Sequence, residues 1–311
     1  MTQHQPLFLV GAAKAGTTSL AMALAAHPGI AELAIKEPGH YCRDLHETQF
    51  SEAYTKLLAF DEARYFQQST LSQRHIAFVA SAENYRKLQL QSAREQPEAR
   101  YVLDASTAYL YSTTAAAEIH AAHPQAKIIV TLRNPISRAY SHYNMARKYG
   151  MEQRMELDAF AAESTLERAQ WGVDECYLEL GKYADQLQRY FDVFDPSQIL
   201  ILFHEDLKHR PEVALARIAT FLDLEPFQGG MPDAKNKAEV PRSKSMGAIA
   251  GAFSGHLKDR IPPTLKRLGK RILFSTPHSI DSDARSFLVH YFAAENKKLQ
   301  KLLNIDLKHW K

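Results

Sequence analysis

Leu7-Phe8-Leu9-Val10 is an unbroken apolar run within Pro6–Val10, the pattern of a strand covered on both faces. Gly11 turns the chain, and Thr17–Ala26, rich in Ala and Leu, reads as a helix that His27-Pro28-Gly29 stops. The alternation then returns three times. Tyr101–Asp104 reads as a strand before a helix at Thr113–Ala122, and Lys127–Leu132 (KIIVTL) as a strand before a helix at Ile136–Arg147. Gln198–Phe203 (QILILF) precedes a helical Pro211–Leu222. Four buried strands alternating with helices predict an α/β fold with an open, mainly parallel sheet flanked by helices.

Ser51–Ala59, Ala82–Gln96 and Leu157–Gln170 read as surface helices. Tyr177–Phe194 places Leu180, Tyr183, Leu187 and Tyr190 mostly three or four apart, as an amphipathic helix does. Asp283–Leu303 reads as a closing helix with Leu288, Tyr291, Phe292, Leu299 and Leu302 on its apolar face. Gly229–Thr276, rich in Gly, Pro, Lys and Arg, is the candidate mobile region that closes over substrate or cofactor. No repeat or low-complexity tract divides the chain, so one domain over residues 1–311 is expected.

Composition narrows the classes. With 45% hydrophobic and 23% charged residues the chain is of ordinary globular type. Its formal charge of +3 is too weak to imply a nucleic-acid partner. No apolar run reaches the ~20 residues needed to span a bilayer, and the first residues lack a leader's charged-then-apolar pattern. Cys42 and Cys176 are too few for a disulfide framework, which predicts reduced thiols in a cytoplasmic setting. The basic, partly apolar segment Leu257–Phe274 leaves peripheral contact with an acidic glycan or membrane surface open beside an ordinary amphipathic lid; oligomeric state is not legible.

The chemistry begins at Gly11-Ala12-Ala13-Lys14-Ala15-Gly16-Thr17-Thr18, a G-x-x-x-x-G spacing between a strand and a helix. The backbone N–H groups of such a turn and the positive helix end hold phosphate. A nucleotide triphosphatase places Lys directly after the second glycine, to reach the β- and γ-phosphates. Here that position is Thr17, and the lysine lies earlier, at Lys14. A second anion motif, Arg133-Asn134-Pro135-Ile136-Ser137-Arg138-Ala139-Tyr140-Ser141, follows the KIIVTL strand. An arginine fork and a hydroxyl two helical turns on suit a terminal phosphate.

Lys14 to Thr18 resembles the K-x-G-T-T loop of the sulfotransferases that use 3′-phosphoadenosine 5′-phosphosulfate, and Arg133, Arg138 and Ser141 match their R-x-P-x-x-R-x-x-S motif. The resemblance runs from residue 7 to residue 310, ending in Asn304–Trp310 (NIDLKHW). It implies a donor of that kind, released as adenosine 3′,5′-bisphosphate, and no metal. Lys14 would contact the bridging oxygen and leaving phosphate, Ala15, Gly16, Thr17, Thr18 and Ser19 the 5′ end, and Arg133 with Ser141 the 3′-phosphate. Lys36-Glu37-Pro38-Gly39-His40-Tyr41 is similar to the K-E-P-H-F/Y stretch of the glycosaminoglycan type, which implies Glu37 as base and Lys36 as its charge partner. Gly39 is an insertion relative to that pattern, so His40 and His142 stand as alternative bases.

In Gln198–Pro211 (QILILFHEDLKHRP) His204 replaces the family's tyrosine against the adenine, and Glu205-Asp206 read as capping groups. Arg242, with Lys235, Lys237 and Lys244, is a candidate cover for the 3′-phosphate or a solvated basic loop. The cytosolic type of sulfotransferase carries a histidine after the next strand. Asp104-Ala105-Ser106-Thr107 contains none, while Asp104 keeps a small-molecule kinase open as a Walker-B-like metal ligand. The other alternative is a non-catalytic adenosine-bisphosphate-binding module. The acceptor, a hydroxyl or amine of a carbohydrate, lipid, peptide or small metabolite, is not legible.

Overall fold

The computed structural model describes residues 4–45, 50, 52–165, 176–232, 240–241, 274–275 and 278–310. They divide into two compact units interleaved along the chain. The first holds residues 1–47, 55–133 and 183–235. Its centre is a five-stranded sheet built from β1 (Gln5–Leu9), β2 (Ile30–Glu32), β5 (Tyr101–Asp104), β6 (Lys127–Leu132) and β7 (Ile199–Phe203). The strand order is β2-β5-β1-β6-β7 and every adjacent pair is parallel, as the alternating pattern predicts. Ile30–Glu32 is too short to stand out in the sequence, but its pairing with β5 makes it the edge strand.

Helix α1 (Thr17–Ala25) and helix α11 (Pro211–Leu222) supply Leu20, Leu24, Leu215 and Ile218 to a core closed by Leu7 and Ile129 of the sheet. Because the strands are parallel, the segments after β1, β5, β6 and β7 all leave by the carboxyl edge, where open α/β sheets bind ligands. A second, two-stranded parallel sheet pairs β3 (Ile35–Glu37) with β4 (Arg74–Ile76), setting Glu37 opposite Ile76. Polar helices α2 (Glu52–Leu58), α3 (Glu62–Tyr65) and α4 (Ala82–Glu95) lie between these elements, α4 starting at a Ser81 cap that accepts from Asn84 N.

The helix expected at Thr113–Ala122 begins two residues later, as α6 (Ala115–Ala122), after a separate short α5 (Ala108–Tyr111). The reason is a contact distant in sequence. Asp44 accepts from the Ser112 and Thr113 hydroxyls and from Thr113 N, so residues 112–114 form a polar turn ahead of the helix. After β7, α10 (His204–His209) adds a turn of helix before α11, with Glu205 and Asp206 in its first turn and Asp206 paired to Arg210. They stand at the expected strand-to-helix junction, but no side chain caps α10, and Asp206 is bound to the Arg210 side chain instead.

The second unit holds residues 48–54, 134–182 and 236–311. Helices α7 (Pro135–Lys148), α8 (Glu156–Ser164) and α12 (Ser282–Leu303) pack around Ile136, Tyr143, Phe160, Tyr177, Leu288 and Phe292. Asn134 caps α7 by accepting from Ile136 N and Ser137 N, and Pro135 at the first position carries no N–H to leave unsatisfied. Arg138 is fully buried and donates to the Tyr177 carbonyl.

The amphipathic helix expected over Tyr177–Phe194 is shortened to α9 (Tyr183–Phe191), preceded by a 3-10 turn at Glu179–Gly181. Glu163 takes the N–H groups of Leu178 and Glu179 at 2.7 and 3.0 Å. At Gly181 a β-carbon would lie 2.6 Å from the Phe292 ring, so only glycine fits in this turn. Of the region expected to close over ligand, residues 233–239, 242–273 and 276–277 lie outside the described residues, and with them Lys235, Lys237, Arg242 and Lys244. Val240–Pro241 and Phe274–Ser275 form an antiparallel pair, β8 and β9.

Candidate active site

The phosphate loop is pinned to the sheet before it turns. Val10 N and Ala12 N donate to the Ile129 and Thr131 carbonyls at 2.9 and 2.8 Å. Gly11 lies so close to β6 that a β-carbon would stand 2.0 Å from Thr131 Oγ1 and 2.7 Å from Thr131 N. Only glycine fits. Lys14 (φ 70°) and Gly16 (φ 87°) both take the left-handed conformation, which curls the backbone between them into an anion-binding concavity.

Gly16 caps α1 without a side chain, and no acid stands in the helix's first turn. The leading N–H groups of α1 thus meet no capping side chain, and its positive end faces the loop. Thr17, where a nucleotide triphosphatase carries lysine, is only 5% exposed. A turn bounded by two glycines that leave no room for a β-carbon, a positive helix end and a flanking lysine fits a phosphosulfate group.

Arg133 leaves the end of β6 and donates from Nη1 to the Lys14 carbonyl at 2.9 Å, while Tyr183 Oη holds the Arg133 carbonyl at 2.8 Å. The arginine assigned to one anion motif therefore also braces the loop of the other. His204 lies on the same loop. Its Nδ1 would be 2.9 Å from a β-carbon at Gly16, and this nitrogen is buried with no hydrogen-bond partner. Burial first, then the Arg133 charge, holds its pKa below the usual histidine value. His204, expected against the adenine, is thus in contact with the 5′ loop. Ser141 is a half-buried residue of α7, in the second unit.

Glu37 ends β3 with both carboxylate oxygens engaged. Lys36 Nζ stands 2.7 Å from Oε1, and Thr107 Oγ1 donates to Oε2 at 2.8 Å. Burial alone pushes the Glu37 pKa up; the Lys36 charge and the Lys36 and Thr107 hydrogen bonds outweigh it and hold the carboxyl below its ordinary value. Glu37 is an ionised carboxylate at neutral pH. The inserted Gly39 takes φ 56°, and a β-carbon there would strike the Phe78 ring at 2.6 Å. The insertion is a turn that only glycine makes.

The alternative bases sit in packed surroundings. His40 stacks on Tyr85 (4.4 Å between centroids, 9° between planes), and its Nδ1 bonds the Val79 carbonyl at 2.8 Å. His142 is 1% exposed, edge-on to the Tyr177 ring. Asp104 accepts from Tyr85, Tyr109 and Ser106 hydroxyls at 2.8, 2.8 and 2.7 Å, which spends it on the interior rather than on a metal. No cluster of metal-ligating side chains occurs among the described residues. Thr107 and Ser106 were not singled out from the sequence; their signal is a pair of hydroxyls directly after a buried strand at the ligand-binding edge.

Comparison with known proteins agrees. Residues 6–229 match the sulfotransferase family. A Caenorhabditis briggsae bifunctional heparan sulfate N-deacetylase/N-sulfotransferase 1 is 25% identical over 71% of this chain and 23% of its own length. Human carbohydrate sulfotransferase 15 is 26% identical over 85% of this chain and 52% of its own. The chain thus spans between about a quarter and a half of these relatives. A sulfotransferase from Alicyclobacillus acidocaldarius shares the fold, with a TM-score of 0.68 at 24% identity over 99% of both chains. The chain belongs to the sulfotransferase family.

Proposed function

We propose that the acceptor is a carbohydrate hydroxyl or amine and that Glu37 is the base that deprotonates it. The observation that carries the base is the doubly held, ionised Glu37 carboxylate between Lys36 and Thr107. The sugar class is supported by the names of the relatives, a heparan sulfate N-sulfotransferase and a carbohydrate sulfotransferase.

The donor supplies an activated sulfuryl group on a phosphate leaving group, and the reaction is an in-line displacement like phosphoryl transfer. Glu37 takes the proton of the acceptor O–H or N–H as the new bond to sulfur forms. Lys14 and the N–H groups at the start of α1 receive negative charge as it develops on the departing bridging oxygen. The assignment of Arg133 and Ser141 to the 3′-phosphate rests on their spacing, eight residues apart in the sequence, and on the arginine fork. Arg242 is proposed as a cover for that phosphate on its sequence motif alone. A cytoplasmic setting is supported by Cys42 and Cys176, both buried and neither in a disulfide. Among the described residues no helix is long and apolar enough to cross a membrane.

The test is transfer from sulfur-labelled donor to a panel of glycans, amino sugars, lipids and small alcohols, run with Glu37→Gln in parallel. Labelled saccharide formed by the native protein and none by the variant, with adenosine 3′,5′-bisphosphate binding intact in both, is expected. Label on lipids or alcohols alone overturns the acceptor class, and full activity of Glu37→Gln overturns the base.

A further inference from the structure

The chain just beyond β5 grips the chain around Glu37 residue by residue. Ala105 N donates to the Lys36 carbonyl at 3.3 Å, and Gly39 N donates to Ser106 Oγ at 3.2 Å. Between these two ties Thr107 reaches Glu37 Oε2, through Oγ1 at 2.8 Å and more weakly through N–H at 3.4 Å. Ser106 is itself fixed, donating to the buried Asp104 at 2.7 Å. The frame is anchored in the sheet, because Asp104 stands in register with Phe8 of β1, the strand that feeds the phosphate loop.

The use of the Thr107 hydroxyl is informative. Thr107 occupies the N-cap position of α5, where a threonine side chain ordinarily accepts an N–H from the first turn. It makes no such bond here. The hydroxyl is turned to the carboxylate instead, so the helix start forgoes its cap and Glu37 gains a donor. Lys36 holds Oε1 and Thr107 holds Oε2, which fixes the carboxylate plane by two independent contacts.

We propose that Thr107 is a positioning residue for the sulfuryl transfer: its hydroxyl orients the Glu37 carboxylate for removal of the acceptor proton. This rests on the reading of Glu37 as base. A donor to the charged form favours that form, so removing it raises the carboxyl pKa and frees its rotation. A threonine that only stabilised the fold would leave the acid limb of the activity profile where it is.

The experiment is Thr107→Val and Thr107→Ser in the full chain, with Glu37→Gln alongside. The readouts are melting temperature, adenosine 3′,5′-bisphosphate affinity, and kcat and kcat/KM against pH. Thr107→Val is expected to lower kcat about tenfold or more, the scale of a lost hydrogen bond to a charged group. It should also move the acid limb to higher pH, leave bisphosphate affinity unchanged, and be rescued by Thr107→Ser. If the valine variant does not fold, Thr107→Ala carries the same test. An inactive Glu37→Gln with an unmoved acid limb in Thr107→Val overturns the role of Thr107 alone. A fully active Glu37→Gln overturns the base and Thr107 together.

Discussion

Gly16→Ala tests whether the left-handed turn before α1 is what binds the donor. Alanine at φ 87° suffers the clash between its β-carbon and the neighbouring carbonyl, costing about 1–2 kcal/mol. The β-carbon also meets His204 Nδ1 at 2.9 Å and Cε1 at 3.5 Å, and overpacking of this kind costs about 1–3 kcal/mol. The sum, about 2–5 kcal/mol, divides between two measurements. What the loop retains as strain lowers stability; what it sheds by relaxing must be restored on binding and lowers affinity.

Calorimetric titration with adenosine 3′,5′-bisphosphate and thermal melts of the free protein measure the two parts. If the loop relaxes fully, affinity falls at least about thirtyfold, since each tenfold is worth about 1.4 kcal/mol. Adding His204→Ala removes the close atoms and leaves Leu207 Cδ1 at an ordinary 3.8 Å, so the double variant should recover the contact part and keep the backbone part. Native stability and native affinity in Gly16→Ala would refute the reasoning, because the curled loop would then be neither required nor strained.

Arg133→Ala should weaken bisphosphate binding by about 1.5–3 kcal/mol, the worth of a hydrogen bond to a charged group, and unchanged affinity would remove it from the site. Because Arg133 also holds the Lys14 carbonyl, the variant should lose affinity for a 5′-phosphate lacking the 3′ group as well. Activity should fall only as pH drops through the Glu37 value, which lies below the ordinary carboxylate value; an acid limb above the ordinary carboxylate range would count against Glu37 as the base. Asp104, raised to about 6 from 3.8 chiefly by burial, acts on stability with the opposite sign. The folded state binds its proton more tightly, so stability is greatest below about pH 4 and falls by on the order of 3 kcal/mol through pH 6. Melts of Asp104→Asn should show that slope reduced.

The parallel sheet and the strand–loop–helix turn at Gly11 to Ser19 were legible because they are local. An apolar run and a glycine spacing each state their meaning within about ten residues. What stayed hidden depends on distant pairs. The break before α9 comes from Glu163 taking the N–H groups of residues 178 and 179. The late start of α6 comes from Asp44, nearly seventy residues away. His204 read as an adenine neighbour by its place in a motif, whereas its contact with Gly16 follows from how β7 lies beside β6. Thr107 carries no motif at all; only the crossing of two loops gives it a carboxylate.

Lys14 shows how these parts depend on one another. A lysine at φ 70° stands where glycine is usual, at a cost of about 1–2 kcal/mol. Glycine would relieve the strain but would remove the ammonium from the departing oxygen. The Arg133 contact to the Lys14 carbonyl, worth about 1.5–3 kcal/mol as a charged hydrogen bond, is of the right size to hold the turn closed. Lys14→Gly should therefore preserve or raise the melting temperature while turnover falls, whereas Lys14→Arg keeps both the strain and the charge but moves that charge outward. A Lys14→Gly variant that melts well below the native protein would mean that the lysine stabilises the fold, and that the loop is not strained for the sake of the leaving group.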